Sequence, residues 1–192
     1  MLVAMTNGVP DRVPVTPDIS NMIPCRLTGK PFWEIYYFNE PPLWRAYLDA
    51  VKYYGFDGWF IDAEMQYQWP GDRSRVVEDM RKLSDRWIVR YRGKIDNCRY
   101  SSETVYPAAD PPTTTEKIIK DIESEWSLVE KLFAPPVGYN PARFKRQRAE
   151  VGELAAFGVA IGYPGFQNWF ELFEGGIEAL TYAYQDHRDL IL

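Results

Sequence analysis

Gly58-Trp59-Phe60-Ile61-Asp62-Ala63-Glu64 is the stretch on which the reading of the fold turns. It reads as a short apolar strand ending in two carboxylates. Just upstream, Pro42 to Tyr54 carries Leu43, Tyr47, Val51 and Tyr54 at the spacing of a helix that packs through one stripe. Gly55 is placed to cap that helix, and Asp57-Gly58 leads into the strand. Further back, Val13-Pro14-Val15-Thr16-Pro17-Asp18-Ile19 reads as another buried strand. Strand, helix, strand points to an α/β class with a parallel sheet, and in such sheets chemistry is usually placed at the carboxyl ends of strands. Asp62 and Glu64 are two apart and so share one face of an extended chain. They are the leading candidates for a site.

Outward from there the pattern continues on both sides. Met1 to Thr6 reads as the last turns of a helix, stopped by Asn7-Gly8-Val9-Pro10. Asn21 to Pro31 reads as irregular, with Pro24, Gly29 and Pro31 as breakers, and Phe32 to Phe38 as a short helix. After Glu64, Met65 to Trp69 reads as a loop and Arg73 to Leu83 as partly helical. At Trp87 the periodicity changes. Trp87 to Ile95 alternates apolar and charged residues, Tyr100 to Tyr106 does so more weakly, and Asp96-Asn97 supplies a turn between them. This predicts an antiparallel hairpin over about 86–106, inserted into the α/β pattern. Pro107 to Pro112 is an extended connector. Helices are expected over Glu116–Lys120 with Thr115 as cap, from about Glu123 to Phe133, and from Pro141 to about Ala156. Val159-Ala160-Ile161-Gly162 reads as a third strand, with Tyr163 to Asn168 as its exit loop. Helices follow at Trp169–Phe173 and Gly176–Tyr184, and another begins at Asp186. Three parallel-type strands fall short of the eight that close a barrel or the five or six of a doubly wound sheet. The sequence is therefore expected to be the leading portion of a larger domain, with the remainder missing.

Composition narrows the function classes. A net charge of −5 argues against a nucleic-acid surface, and no apolar run is long enough for a transmembrane helix. Cys25 and Cys98 are far apart, without a CxxC, and no signal peptide precedes them; they read as reduced thiols in a cytoplasmic protein. Aromatic residues make up 16% of the chain, enough both to fill a core and to line a pocket for a flat ligand. The expected partner is a small-molecule substrate, with neither nucleic acid nor membrane.

Each candidate residue has a sharp and a plain reading. Asp62 is either a substrate-binding or acid/base carboxylate, or a strand-end residue capping the next loop. Glu64 is a second pocket carboxylate or a solvated loop glutamate. Tyr163, Gln167 and Asn168, after the third strand, suit a pocket lip or are ordinary loop residues. Cys25, Cys98 and His187 lack any recognisable zinc spacing, so no metal ligands are assigned. Thr28-Gly29-Lys30 is not a phosphate loop, because Pro31 stands where a Ser or Thr is needed. The basic run Arg143-Phe144-Lys145-Arg146-Gln147-Arg148 reads as the wet face of a helix.

Taken in order, Pro10-Asp11-Arg12-Val13-Pro14-Val15, Gly55-Phe56-Asp57-Gly58 running into Phe60-Ile61-Asp62, Gly162-Tyr163-Pro164 and Glu174-Gly175-Gly176 resemble the uroporphyrinogen decarboxylase superfamily. The resemblance spans most of the chain. It implies the N-terminal portion of a TIM-type (β/α)8 barrel, with about three parallel strands and their helices plus the inserted hairpin. It implies that Asp62 matches the family's acidic residue at the end of strand two, which holds pyrrole N–H groups. Of the arginines that bind substrate carboxylates in the decarboxylase, only Arg26 remains here. Corrinoid-dependent methyl transfer is the activity favoured for an intact protein. A zinc-bound thiolate would then accept the methyl group, with zinc supplied by the missing half and a corrinoid protein as partner. The alternative is decarboxylation of a tetrapyrrole or related acid; a second alternative is an inactive fragment. With its sheet edge open, the chain is also expected to self-associate, for instance as a homo-oligomer.

Overall fold

The computed structural model describes residues 2–159 and 166–186. The chain divides into two compact units, each built from separated segments. Met1–Gln66, Tyr106–Pro111 and Tyr139–Ala160 form the first; Tyr67–Val105, Pro112–Gly138 and Ile161–Leu192 form the second. In chain order the elements are α1 (Leu2–Met5), α2 (Met22–Leu27), α3 (Phe32–Tyr36), α4 (Leu43–Tyr54), β1 (Phe60–Asp62), β2 (Gln66–Gln68), β3 (Arg73–Lys82), β4 (Arg86–Ile95), β5 (Cys98–Pro107) and β6 (Thr113–Glu116). There follow α5 (Trp126–Phe133), β7 (Gly138–Asn140), α6 (Ala142–Val151), β8 (Ala156–Gly158), α7 (Phe166–Leu172) and α8 (Gly176–Asp186).

In the first unit, α4 forms where its apolar stripe predicts and stops at Gly55, whose φ of +66° suits glycine. Its Leu48 packs with Ile61 of β1 and with Val151 and Ala155. β1 pairs in parallel with β8, Phe60 opposite Ala156 and Asp62 opposite Gly158. A second cluster joins Cys25 on α2 to Phe32 and Ile35 on α3. The amide of Phe32 donates to the carbonyl of Ala108 at 2.8 Å, tying the short returning segment 106–111 to this unit.

The second unit is built on a four-stranded sheet in the order β3-β4-β5-β6. β3 pairs antiparallel with β4 from Arg73 opposite Ile95 to Lys82 opposite Trp87, slipping by one residue between Val77 and Asp79. Its charged, largely exposed side chains and that bulge are devices that keep an edge strand from recruiting another chain. Gly93 is required by its neighbour: a Cβ there would lie 2.2 Å from the Tyr100 ring, which packs across it. Ile95, Ile119, Leu128, Val129, Trp169, Phe173 and Ala179 form the core of this unit.

Glu116, at the end of β6, is held by three partners. Arg90 Nη2 lies 2.7 Å away, Lys120 Nζ 3.1 Å, and Ser101 Oγ donates at 2.9 Å. With Arg90 foremost, these partners depress the carboxyl to about 2. A depressed carboxylate stabilises the fold above its unfolded pKa and loses that contribution as pH falls through the folded value. Glu116→Gln is therefore expected to cost about 1–2 kcal/mol near neutral pH, after allowing for solvent screening. It should also flatten the decline of Tm between pH 4.5, the ordinary glutamate value, and about 2. Calorimetric scans of both proteins across that window check this; parallel curves would count against the cluster.

These elements correct the barrel expectation. The main sheet is antiparallel, the parallel pair β1–β8 spans three residues per strand, and although β6, β7 and β8 alternate with α5 and α6, the three strands belong to different sheets. The first expected strand, 13–19, is irregular, with Val13 83% and Val15 59% exposed. Pro14 and Pro17 have no N–H to give a ladder, so the backbone here cannot join a sheet through consecutive residues. The segment is held instead by Asp57. Its carboxylate accepts from the Val15 amide at 2.8 Å and pairs with Arg12, and its own amide donates to the Val15 carbonyl at 3.0 Å. The third expected strand is represented by β8, three residues earlier, and 160–165 lies outside the described residues. The predicted hairpin is present as β4 and β5, but as the centre of the four-stranded sheet. Its flanks, expected to be helical, are strands. Arg73–Lys82 is β3, and the β-branched run Thr113-Thr114-Thr115 makes β6 where a helix cap was expected. Conversely, α2 lies in a stretch expected to be irregular.

Candidate functional site

The first unit contains a cavity of about 540 Å³, within the range of small-molecule pockets. One wall is β1 and its continuation. Phe60, Asp62 and Glu64 recur every second residue and all line the cavity, while Ile61 between them is fully buried in the core behind. The other wall comes from α3 and α4, with Tyr36, Trp44 and Tyr47, and Trp59, Ala63, Asn21 and Asn39 complete the lining with Ile35 and Leu43. Five aromatic side chains thus surround two carboxylates.

Electrostatics separates the two. Partial burial pushes the Asp62 carboxyl above its ordinary value, although the residue as a whole is exposed. Glu64 is fixed from α6: its carboxylate lies 2.8 Å from Arg143 Nη1, and its amide donates at 2.9 Å to Oε1 of the buried Gln147. Glu64 therefore anchors the wall, leaving Asp62 as the group with reactive capacity. The Tyr47 hydroxyl donates to Asn21 Oδ1, and burial, reinforced by Cys25, Asp18 and Asp62, pushes its phenol up to about 12. Burial drives the Tyr36 phenol higher still, and its hydroxyl lies beside Cys25 and Asn21 without a partner at hydrogen-bonding geometry. A buried polar group left this way is costly unless something else completes it. Both phenols stay protonated at neutral pH and can donate.

Of the sequence candidates, Asp62 and Glu64 meet in this cavity. Arg26, exposed near the end of α2, does not line it. Gln167 and Asn168 belong to α7 of the second unit, a helix where an exit loop was expected. Tyr163 and His187 lie outside the described residues. Sequence reasoning missed Tyr36, Trp44, Tyr47 and Trp59 as lining, and Arg143 and Gln147 as supports. Tyr47 had been placed on the packed stripe of α4, and the high aromatic content was the remaining signal.

Among the described residues, no group of three or more His, Cys, Asp or Glu could hold a metal. Cys25 is fully buried, and that burial raises its thiol pKa, which favours the thiol over the thiolate a metal needs. No helix among the described residues is long and apolar enough to cross a membrane. Comparison with known proteins gives no match to a family model, to a curated protein or to a solved structure.

Proposed function

We propose that the first unit binds a small ring-bearing or alkylated molecule in this cavity, and that Asp62 faces the atom at which positive charge resides or develops. The observation that carries this reading is one carboxylate with an upward-shifted pKa inside an aromatic-walled cavity. An upward shift moves a carboxylate toward the pKa of an effective general acid or base at working pH. Of the two chemistries implied by the resemblance, methyl transfer would draw its zinc from outside this chain, so these residues bear on the decarboxylation alternative alone. Decarboxylation through a cationic intermediate asks for a positioned carboxylate facing the developing charge, and Asp62 lines the cavity from the end of β1. A polycarboxylated tetrapyrrole is disfavoured, because the lining holds no Arg, Lys or His to pair with it.

The test uses indole, tryptamine and pyrrole-2-carboxylate as probes, titrated against the fluorescence of the wall tryptophans Trp44 and Trp59. Saturable binding of at least one probe, weakened tenfold or more in Asp62→Asn, is expected; failure of all three, and of the alkylated probes named below, would end the reading. The same variant carries a stability signature. A carboxyl whose folded pKa is raised favours the fold below its unfolded pKa of 3.8, and that contribution is lost as pH rises through the folded value. At pH 7 ionised Asp62 is thus a liability, reduced by its partial exposure. Asp62→Asn is expected to hold or raise Tm, by ~1–3 °C, while binding falls.

A further inference from the structure

We propose that the ligand of the Asp62 cavity is an organic cation whose charge is spread over an alkylated nitrogen, a quaternary ammonium being the type case. This rests on the small-molecule reading above and sharpens it to a charge class.

The charge balance of the lining is the first argument. Among its described residues the ionisable acids are Asp62 and Glu64, and no Arg, Lys or His is present. Two cations that touch the lining are already committed: Arg143 pairs with Glu64, and Arg45 pairs with Glu150 while stacking 4.6 Å from the Trp44 ring. Among the described residues Asp62 has no ion-pair partner, and burial raises its carboxyl. A carboxylate partly withdrawn from water and left uncompensated attracts a positive charge.

The aromatic walls select the kind of cation. Faces of Trp, Tyr and Phe attract a cation through the ring quadrupole, and the attraction grows as water is excluded. Trp44 already shows this with Arg45. Trp59, Tyr47, Tyr36 and Phe60 supply further rings around the same space. A compact, strongly hydrated ammonium pays more to enter such a cavity than an alkylated one whose charge is diffuse.

Choline and its uncharged carbon isostere 3,3-dimethylbutan-1-ol separate shape from charge. Isothermal titration with each, at low and at physiological salt, is expected to give at least tenfold tighter binding for choline. Asp62→Asn should bring the two within threefold by weakening choline alone, with the isostere unchanged. Trp59→Ala should weaken choline by a similar factor, and circular dichroism with cooperative unfolding verifies that each variant is folded. Equal affinity of choline and isostere in the wild-type protein would overturn the proposal while leaving the small-molecule reading intact. So would retention of the full cation preference in a folded Asp62→Asn. If neither choline, the isostere nor the ring probes bind, both readings fall together.

Discussion

Trp169→Ala is expected to remove ~3–5 kcal/mol from the second unit, the range for deleting a buried tryptophan. Trp169 is 2% exposed and stacks on Phe173 with ring centroids 4.3 Å apart and planes 19° from parallel. Phe133 from α5 closes the group at 5.6 Å. The same group abuts the place where Ile119 exchanges backbone hydrogen bonds: its amide donates to the Leu172 carbonyl and its carbonyl accepts from Glu174, each at 2.8 Å. Loss of the indole therefore leaves a void where α5, α7 and the segment after β6 converge, and domains are stable by only about 5–15 kcal/mol in all. Urea unfolding should show the loss directly, with faster hydrogen exchange in 126–133 and 166–173. Trp169→Phe, which keeps a ring on Phe173, should cost less than half as much. A deficit below about 1 kcal/mol for the alanine variant would mean that this cluster is not the core of the unit.

The second large effect is Leu48→Ala, at ~2–5 kcal/mol. Leu48 is fully buried on α4 and packs with Ile61, whose neighbour Asp62 points the other way into the cavity. Truncating Leu48 empties the space directly behind β1, so the strand that aims Asp62 loses its backing. The expected result is a joint loss, lower stability and weaker choline binding. Leu48→Met, which conserves volume, should stay within about 1.5 kcal/mol and keep the ligand. If Leu48→Ala unfolds no more easily than Leu48→Met, the packing described for α4 and β1 is wrong.

Some of this was open to inspection of the sequence, for physical reasons that differ by residue. The α4 helix and its Gly55 stop follow helical periodicity and a left-handed φ, both local, and both appear, although the buried face is Ala46, Leu48, Ala50 and Val51 and shares only Val51 with the expected stripe, Tyr54 being exposed. Asp62 and Glu64 were placed on one face by the two-residue repeat of a strand, and both line the cavity. The alternation from Trp87 onward marked β4 and β5. What failed depended on partners. Val13–Ile19 has the apolar content of a strand, but a ladder needs N–H groups that Pro14 and Pro17 lack. Arg73–Lys82 is polar on both faces, so neither a helical nor a strand period stands out, and its structure is set by pairing with β4. The TIM-type barrel followed from a resemblance in short motifs, which fixes no pairing beyond the elements it touches. Tyr36 and Gln147 reach the site from distant segments, and no local pattern announces them.

The wall that carries Asp62 is also a matter of timing during synthesis. β1 is held by β8, and Glu64 by Gln147 and Arg143, contacts that bridge 83 and 79 residues of chain. While the ribosome is still making everything between Glu64 and α6, Asp62 sits on a strand with no neighbour. The nascent chain must therefore carry this carboxylate unassembled until Gly158 has cleared the exit tunnel. Substitutions in α6 or β8 would then be felt first as a longer-lived, chaperone-dependent intermediate, before any change in the finished pocket is measured.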